Sequence, residues 1–238
     1  MILPGKMSGL EAVMHNDPRV NTQTAAGLYI ARWQGILGQE WGLNGEGLYT
    51  LALMQQSNRC IIFPEGQRAA VDGDGSLAGT IYSIAVNSDQ LARIASWEAL
   101  TGRGYGSTHT PSGDSLICYA VQTDPGVRGG FRALVEAQAE LARTLGLRLF
   151  VFTRPNGFSS FAGENGLPLQ EPASMEDYLR QVTEGGLVVR EDGVSAHTHL
   201  GATLAPLLRG GKPYLHGSRP ADKDSAGYNV LMEYPVKG

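Results

Sequence analysis

The stretch from Ser115 to Phe158, SLICYAVQTDPGVRGGFRALVEAQAELARTLGLRLFVFTRPNGF, constrains this chain more than any other part of it. It reads as strand, Gly-rich turn, amphipathic helix and strand, with the turn opening directly into the helix. Phe131, Leu134, Val135, Leu141, Ala142 and Leu145 recur at the helical period, and Gly146 is placed to stop the helix. LRLFVF is short and apolar and follows a helix, so it reads as a buried strand. A turn of this kind presents backbone N–H groups and the positive end of a helix dipole to an anion.

The flanking sequence extends the pattern. Gln23 to Glu40 carries an incomplete apolar helical face through Leu28, Ala31, Ile36 and Leu37. The Gly-rich passage WGLNGEGLY follows. RCIIFPEGQRAAVDGDG reads as a strand, a Pro-Glu-Gly turn, a second strand and an Asp-Gly hairpin signal. Gly79 to Val86 is a third strand, and Asp89 is a candidate cap for a helix running to about Leu100. A Gly-, Ser- and Thr-rich loop precedes Ser115. Beyond Phe158, SMEDYLRQVTEG begins like a helix capped by Ser174, and GATLAPLL and YNVLMEYPV read as strands. The expected fold is therefore α/β in the mixed α+β sense, a mixed sheet with helices on both faces. We read it as one domain, with a helical N-terminal part over 1–57 and the core over 58–238.

Composition narrows the function classes. A formal charge of −4 argues against a nucleic-acid partner, which needs a basic face. No apolar run approaches the roughly 18–20 residues of a membrane helix, and the first twenty residues lack the apolar stretch of a signal peptide. Cys60 and Cys118 sit in strand-like apolar runs without metal-ligand spacing, which suits two buried, reduced thiols in a cytoplasmic protein. No metal site is expected.

In its strand–turn–helix setting, the segment around Asp124 resembles the acyl-CoA site of the GNAT acyltransferase superfamily. That family's turn runs Arg or Gln, two residues, Gly, one residue, Gly or Ala. This chain keeps Gly129, but Gly126 stands at the basic or amide position and Phe131 at the small one; alternatively, Arg128 supplies the charge in a shortened turn. FPEGQ (63–67), the AGTIYS strand, Trp97 with Thr101–Gly102, THTPSGDSL, TRP (153–155) and the ending HTHLGA…RPAD…GYNVLMEY look like one branch of the family. It contains the GNAT-type loading domains of modular polyketide synthases and GNAT domains associated with nitrilase-like proteins. The similarity covers about Asn58 to Tyr234.

The resemblance implies a mostly antiparallel GNAT sheet splayed between strands four and five, with pantetheine lying in the splay. Val121, Gln122 and Thr123 would bind its amides, and Val127, Arg128, Gly129 and Gly130 would form the turn beside its phosphate end. It also implies catalytic roles for Thr153, His197 and Arg219, matching a Thr, a His and a nearby Arg that bind and decarboxylate a malonyl thioester in the loading domains. Each has a plainer reading. Thr153 is also an ordinary β-branched strand residue, Arg154 a surface ion pair, His197 a satisfied structural histidine, and Arg219 a partner for Asp222 or Asp224. If His197 and His199 lie in a strand, both face the same side.

Three functions follow from the resemblance. The first is transfer of an acyl group from acyl-CoA or an acyl-phosphopantetheine carrier protein to a small-molecule amine, in natural-product biosynthesis. The second is decarboxylation of a malonyl-type thioester, and the third an inert GNAT-fold binding module. A carrier-bound donor needs no grip on adenosine diphosphate, which suits the altered turn. The chain begins with Met and shows no fused synthase domain, which suits a freestanding tailoring enzyme, monomeric or homodimeric.

Overall fold

A computed structural model describes residues 9–189 and 192–235. The elements are β1 (Glu11–Met14), α1 (Thr22–Trp41), α2 (Gly45–Ile62), β2 (Gln67–Val71), β3 (Leu77–Val86), α3 (Trp97–Thr101), β4 (Ser115–Thr123), α4 (Gly130–Leu145), β5 (Arg148–Thr153), α5 (Phe158–Glu164), α6 (Pro172–Thr183), α7 (Gly193–His199), β6 (Thr203–Leu204), β7 (Tyr214–Leu215) and β8 (Asn229–Tyr234). One sheet runs β1-β2-β3-β4-β5-β8-β6, with β7 also on β8. Its pairings are antiparallel except β4 with β5. That parallel pair is the consequence of the α4 crossover, since a helix returns the chain to the end of the sheet it left.

The helices cover both faces. Leu134 and Val135 of α4, Met175 of α6 and Val194 of α7 pack on Leu116, Cys118, Leu149 and Val151. On the other face Tyr29, Trp33 and Leu37 of α1 and Ala52 of α2 pack on Tyr82, Ile117, Tyr119 and Phe152.

The register explains how the sheet opens. β4 and β5 pair from Ser115–Arg148 to Cys118–Val151, although both strands run on to Thr123 and Thr153. Where this pairing ends, the β3–β4 register slips: Ser83 faces Cys118 but Tyr82 faces Ala120, leaving Tyr119 as an extra residue on β4. A bulge bends and twists the strand that carries it, so β4 leaves β5 at Tyr119. Trp97 Nε1 donates to the displaced Tyr119 carbonyl at 3.0 Å, which gives that group a partner off the ladder.

Several expectations are corrected. RCII is not a strand but the last turn of α2, so Cys60 is half-buried on a helix and not in a sheet. WGLNGEGLY is no continuous loop: Gly42 closes α1 in the left-handed region and α2 starts at Gly45. The segment after Asp89 forms a 3₁₀ turn over Ser88–Arg93 and then the short α3, not one helix. α6 begins at Pro172, ahead of Ser174. GATLAPLL contributes only two strand residues, and Leu145 lies 47% exposed at the end of α4. The N-terminal part holds α1 and most of α2, and β1 precedes them as an edge strand. Gly146 ends α4 with φ 67° as expected, its N–H bonded to the carbonyls of Ala142 and Arg143.

Candidate active site

The opening between β4 and β5 becomes a cleft of about 570 Å³, counted with its open mouth. Cys118 to Val121 of β4 and Val151 to Thr153 of β5 line it, together with Arg32, Trp33, Trp97, Arg154, His197 and Arg219. Thr153, His197 and Arg219, expected from sequence to act together, therefore share one cavity. They do not share one wall. Thr153 and His197 lie on the α7 side of the sheet, and Arg219 lies among the tryptophans of the α1 side.

The α7 wall is built by Asp192. Its carboxylate accepts N–H bonds from Ser195 at 2.7 Å and Gly157 at 3.1 Å, capping the short helix that carries His197. Gly193 opens that helix against the end of β5. A methyl group there would lie 2.1 Å from Thr153 Oγ1 and 2.7 Å from the Arg154 carbonyl, so only glycine lets α7 come this close. His197 and His199 are on a helix, not a strand, and two residues of helix turn them apart. His197 is 2% exposed whereas His199 is exposed to solvent.

The His197 ring is held on two sides. Nδ1 meets the Tyr234 hydroxyl at 2.7 Å, and the Phe131 ring packs with its centroid 5.0 Å away. Phe131 is one of the two residues, with Gly126, that depart from the turn expected from the resemblance, and its ring lies against this histidine. Burial pushes the His197 pKa down to about 3, so the imidazole is neutral at physiological pH. Cys118 is no nucleophile: burial pushes its thiol up to about 12, and Ser83 Oγ donates to its sulfur at 3.2 Å.

The α1 wall is a stack of indoles and guanidiniums. Arg219 Cζ lies 4.2 Å from the Trp97 ring centroid and 5.1 Å from that of Trp33, and Arg154 Cζ lies 5.2 Å from Trp33. Each guanidinium is tied to a carboxylate. Arg219 donates from Nε and Nη2 to Glu40 at 3.2 and 2.7 Å, and Arg154 donates from Nε and Nη2 to both oxygens of Asp222. Arg219 thus pairs with Glu40, not with Asp222 or Asp224, and two of its three nitrogens are already spent. The Arg154 pair is buried, not superficial. Burial works to raise the Asp222 carboxyl, but the Arg154 guanidinium overrides it and holds the group below the usual range. The Trp33 Nε1–H is buried without a partner among the described residues.

Sequence reasoning missed Trp33, Glu40, Arg32 and Tyr119. A signal for two of them existed: Trp33 and Glu40 are seven apart, two helical turns on one face of α1. Of the seven residues expected to hold the donor, Val121 lines the cavity. Gln122 turns away and donates to Thr80 Oγ1, Thr123 ends β4 opposite Gly79, and Val127, Arg128 and Gly129 form the turn that opens into α4 at Gly130, none of them among the residues lining the cavity. Among the described residues no group of His, Cys, Asp and Glu could hold a metal ion, and no helix is long and apolar enough to cross a membrane.

No protein-family model matches the chain. Over 176 residues, 72% of its length, it is 30% identical to the Bacillus subtilis (strain 168) protein named "Probable hydrolase YhcX". The match takes in 31% of that protein, so the chain spans about a third of the relative's length. Among solved structures it is similar to the loading GNATL domain of CurA from Lyngbya majuscula, with a TM-score of 0.62, 20% identity, and coverage of 95% of this chain and 98% of that one. It is similar also to the GphF GNAT-like decarboxylase in complex with isobutyryl-CoA, with a TM-score of 0.60, 19% identity, and coverage of 96% and 99%.

Proposed function

From the premise that this chain has the GNAT fold, we propose that it removes carbon dioxide from a malonyl-type acyl group carried as a pantetheine thioester. The observation that carries this reading is the chemistry of the cleft. Three guanidiniums line it and no carboxylate does. The imidazole beside Thr153 is neutral and binds a proton only near pH 3. Two of these guanidiniums are already paired, with Glu40 and with Asp222, so the site offers an anionic acyl group hydrogen-bond donors more than net charge, and it holds no strong base.

The chain's own groups divide the work. The unpaired lengths of β4 and β5 beyond Cys118 and Val151 supply strand edges to the pantetheine amides. The α1 wall, with Arg154, Arg219 and the Trp33 N–H, receives the carboxylate. As the carbon–carbon bond breaks, its electron pair moves to the thioester carbonyl, carbon dioxide leaves, and the oxygen becomes an enolate. The Thr153 hydroxyl and the His197 imidazole donate to that oxygen; a preorganised donor of this kind is worth about 10²–10³ in rate. A proton from water at the α-carbon completes an acetyl-type thioester. The step is testable directly: malonyl-pantetheine incubated with the protein and no acceptor should release carbon dioxide and give the acetyl thioester, and Thr153→Val should lose most of that turnover. Carbon dioxide release equal to that of buffer alone would sink the proposal.

The second reading is N-acyl transfer to a small-molecule amine. One observation favours it: the cleft has walls from both faces of the sheet, so a second substrate can approach from the α1 side while the donor enters beside α4. Against it stands the low proton affinity of His197, which makes it a weak acceptor for an ammonium proton. In both readings the donor is an acyl-carrier protein arm or CoA.

A further inference from the structure

We propose that Arg59 is a positioning residue: from α2 it sets the place of Trp97, and with it the α1 wall of the cleft. The inference rests on the reading above, in which that wall receives the carboxylate of the thioester.

Arg59 is 1% exposed, and among the described residues no carboxylate pairs with it, unlike Arg154 and Arg219. Its charge is met by aromatic faces instead. Cζ lies 4.3 Å from the ring centroid of Tyr82, 5.1 Å from that of Tyr29 and 5.5 Å from that of Tyr119. Its Nε donates to the Gly104 carbonyl, in the loop after α3, at 2.6 Å. Gln55 and Asn58, on the same face of α2, donate from their side-chain amides to the carbonyls of Arg103 and Tyr105 at 2.8 and 2.9 Å. One helix thus holds three successive carbonyls of one loop.

That loop does not keep its shape unaided. Gly102, Arg103 and Gly104 all stand in the left-handed region, at φ 60°, 58° and 80°, and Arg103 carries a side chain there. Such a conformation persists only where its surroundings fix it. The loop is also tied to α3. The Gly104 N–H donates to Thr101 Oγ1 at 2.8 Å, and that hydroxyl donates to the Trp97 carbonyl at 2.9 Å. Gly104 itself lies between the two side chains: a methyl group on it would meet the Trp97 indole at 2.9 Å and Arg59 Nη2 at 3.2 Å.

Trp97 carries the placement into the cleft, which Arg59 does not line. Its Nε1 holds the Tyr119 carbonyl, and its ring lies against the Arg219 guanidinium. Tyr119 is therefore held from two sides, its ring by Arg59 and its carbonyl by Trp97, at the point where β4 leaves β5. Without the Arg59 fork the loop is released, the indole shifts, and Arg219 is misplaced.

The test uses Arg59→Met, which keeps the stem and removes the fork, and Asn58→Ala, which removes only the bond to Tyr105 and serves if Arg59→Met does not fold. Gln138→Leu is the control: it breaks a buried bond to the Gly66 carbonyl, from α4, with no link to α3. Near-ultraviolet circular dichroism, taken as the difference between each protein and its Trp97→Phe version, reports the setting of that indole. Steady-state kinetics with malonyl-pantetheine give kcat and KM. Arg59→Met should change the Trp97 signal and lower kcat by up to about 10²-fold, the size of effect that a 1 Å misplacement can have, with a smaller change in KM. Asn58→Ala should do the same to a lesser degree, and Gln138→Leu should lose stability while leaving the signal and kcat as they were. A folded Arg59→Met with either the signal or kcat within twofold of the wild type would overturn the assignment, as would equal effects in Gln138→Leu. If the wild type turns over no thioester, the proposed activity fails, and the Trp97 signal alone decides the role of Arg59.

Discussion

Tyr234 on β8 holds His197 on α7 through a 2.7 Å contact between its hydroxyl and Nδ1, with both side chains buried. The bond fixes the ring plane against β8, so the last strand of the sheet aims the imidazole at the cleft. A hydroxyl that donates to Nδ1 leaves the ring proton on Nε2, the tautomer able to donate to an enolate.

Tyr234→Phe should lower kcat about tenfold with a smaller change in KM, because the imidazole loses its orientation and not its place. The buried Nδ1 left without a partner should also cost about 1–3 kcal/mol of stability. Steady-state kinetics and urea denaturation check the two effects separately.

Stability should fall as the solution is made mildly acidic. His15 is held down to about 4, chiefly by burial and secondarily by the Arg59 guanidinium, and His197 to about 3 by burial. The unfolded chain takes up these protons near pH 6.5, and the folded chain does not until near pH 4 and pH 3. Stability is therefore complete above about pH 7 and is lost progressively below 6.5. At pH 5 each histidine should subtract roughly 2 kcal/mol. Denaturation curves at pH 7.5 and pH 5, for the wild type and for His15→Gln, give the slope and its origin. Turnover, in contrast, should show no step near pH 6.5 arising from His197.

Glu40→Gln should destabilise the protein by about 3–5 kcal/mol, since it leaves Arg219 buried between two indoles without its carboxylate. The double variant Glu40→Gln/Arg219→Met should be less damaged than the sum of its parts, because the two changes remove one interaction. Additive losses would mean that the pair does not act as a unit.

Gly193→Ala tests the seating of α7. The added methyl meets Thr153 Oγ1 and the Arg154 carbonyl, and backbone cannot step aside as a flexible side chain can. We expect a loss of about 1–3 kcal/mol from overpacking and a fall in kcat, because Thr153 and His197 are pushed apart. The neighbouring Val194→Ala should cost stability through its cavity while leaving that spacing intact.

The strand–turn–helix–strand core was legible because its signals are local: period in α4, a stop at Gly146, an apolar run in β5. The end of α2 was not. RCII carries the β-branched apolar residues of a strand, but Ile61 lies 79% exposed and Arg59 is buried against the rings of Tyr29, Tyr82 and Tyr119, contacts that only tertiary folding supplies. His197 was singled out from the sequence, but its helix was not, because a seven-residue helix capped by Asp192 is too short to show a period. The α1 wall was the least legible part. Glu40 and Arg219 are 179 residues apart, and nothing local in either segment announces an ion pair closed by tertiary folding. The turn at Asp124 was legible as a turn, but its closure by the Gly126 N–H on the Asp124 carboxylate shows only in the folded chain.

The central claim is that this cleft decarboxylates a malonyl-type thioester. The direct measurement is intact mass spectrometry of malonyl thioesters, on pantetheine, on CoA and on a carrier protein, incubated with the protein and no acceptor. The account predicts loss of carbon dioxide to give the acetyl thioester, strongly slowed in Thr153→Val and in His197→Gln. A malonyl thioester left intact, with acyl loss appearing only when an amine is added, would contradict it and establish the transferase reading in its place.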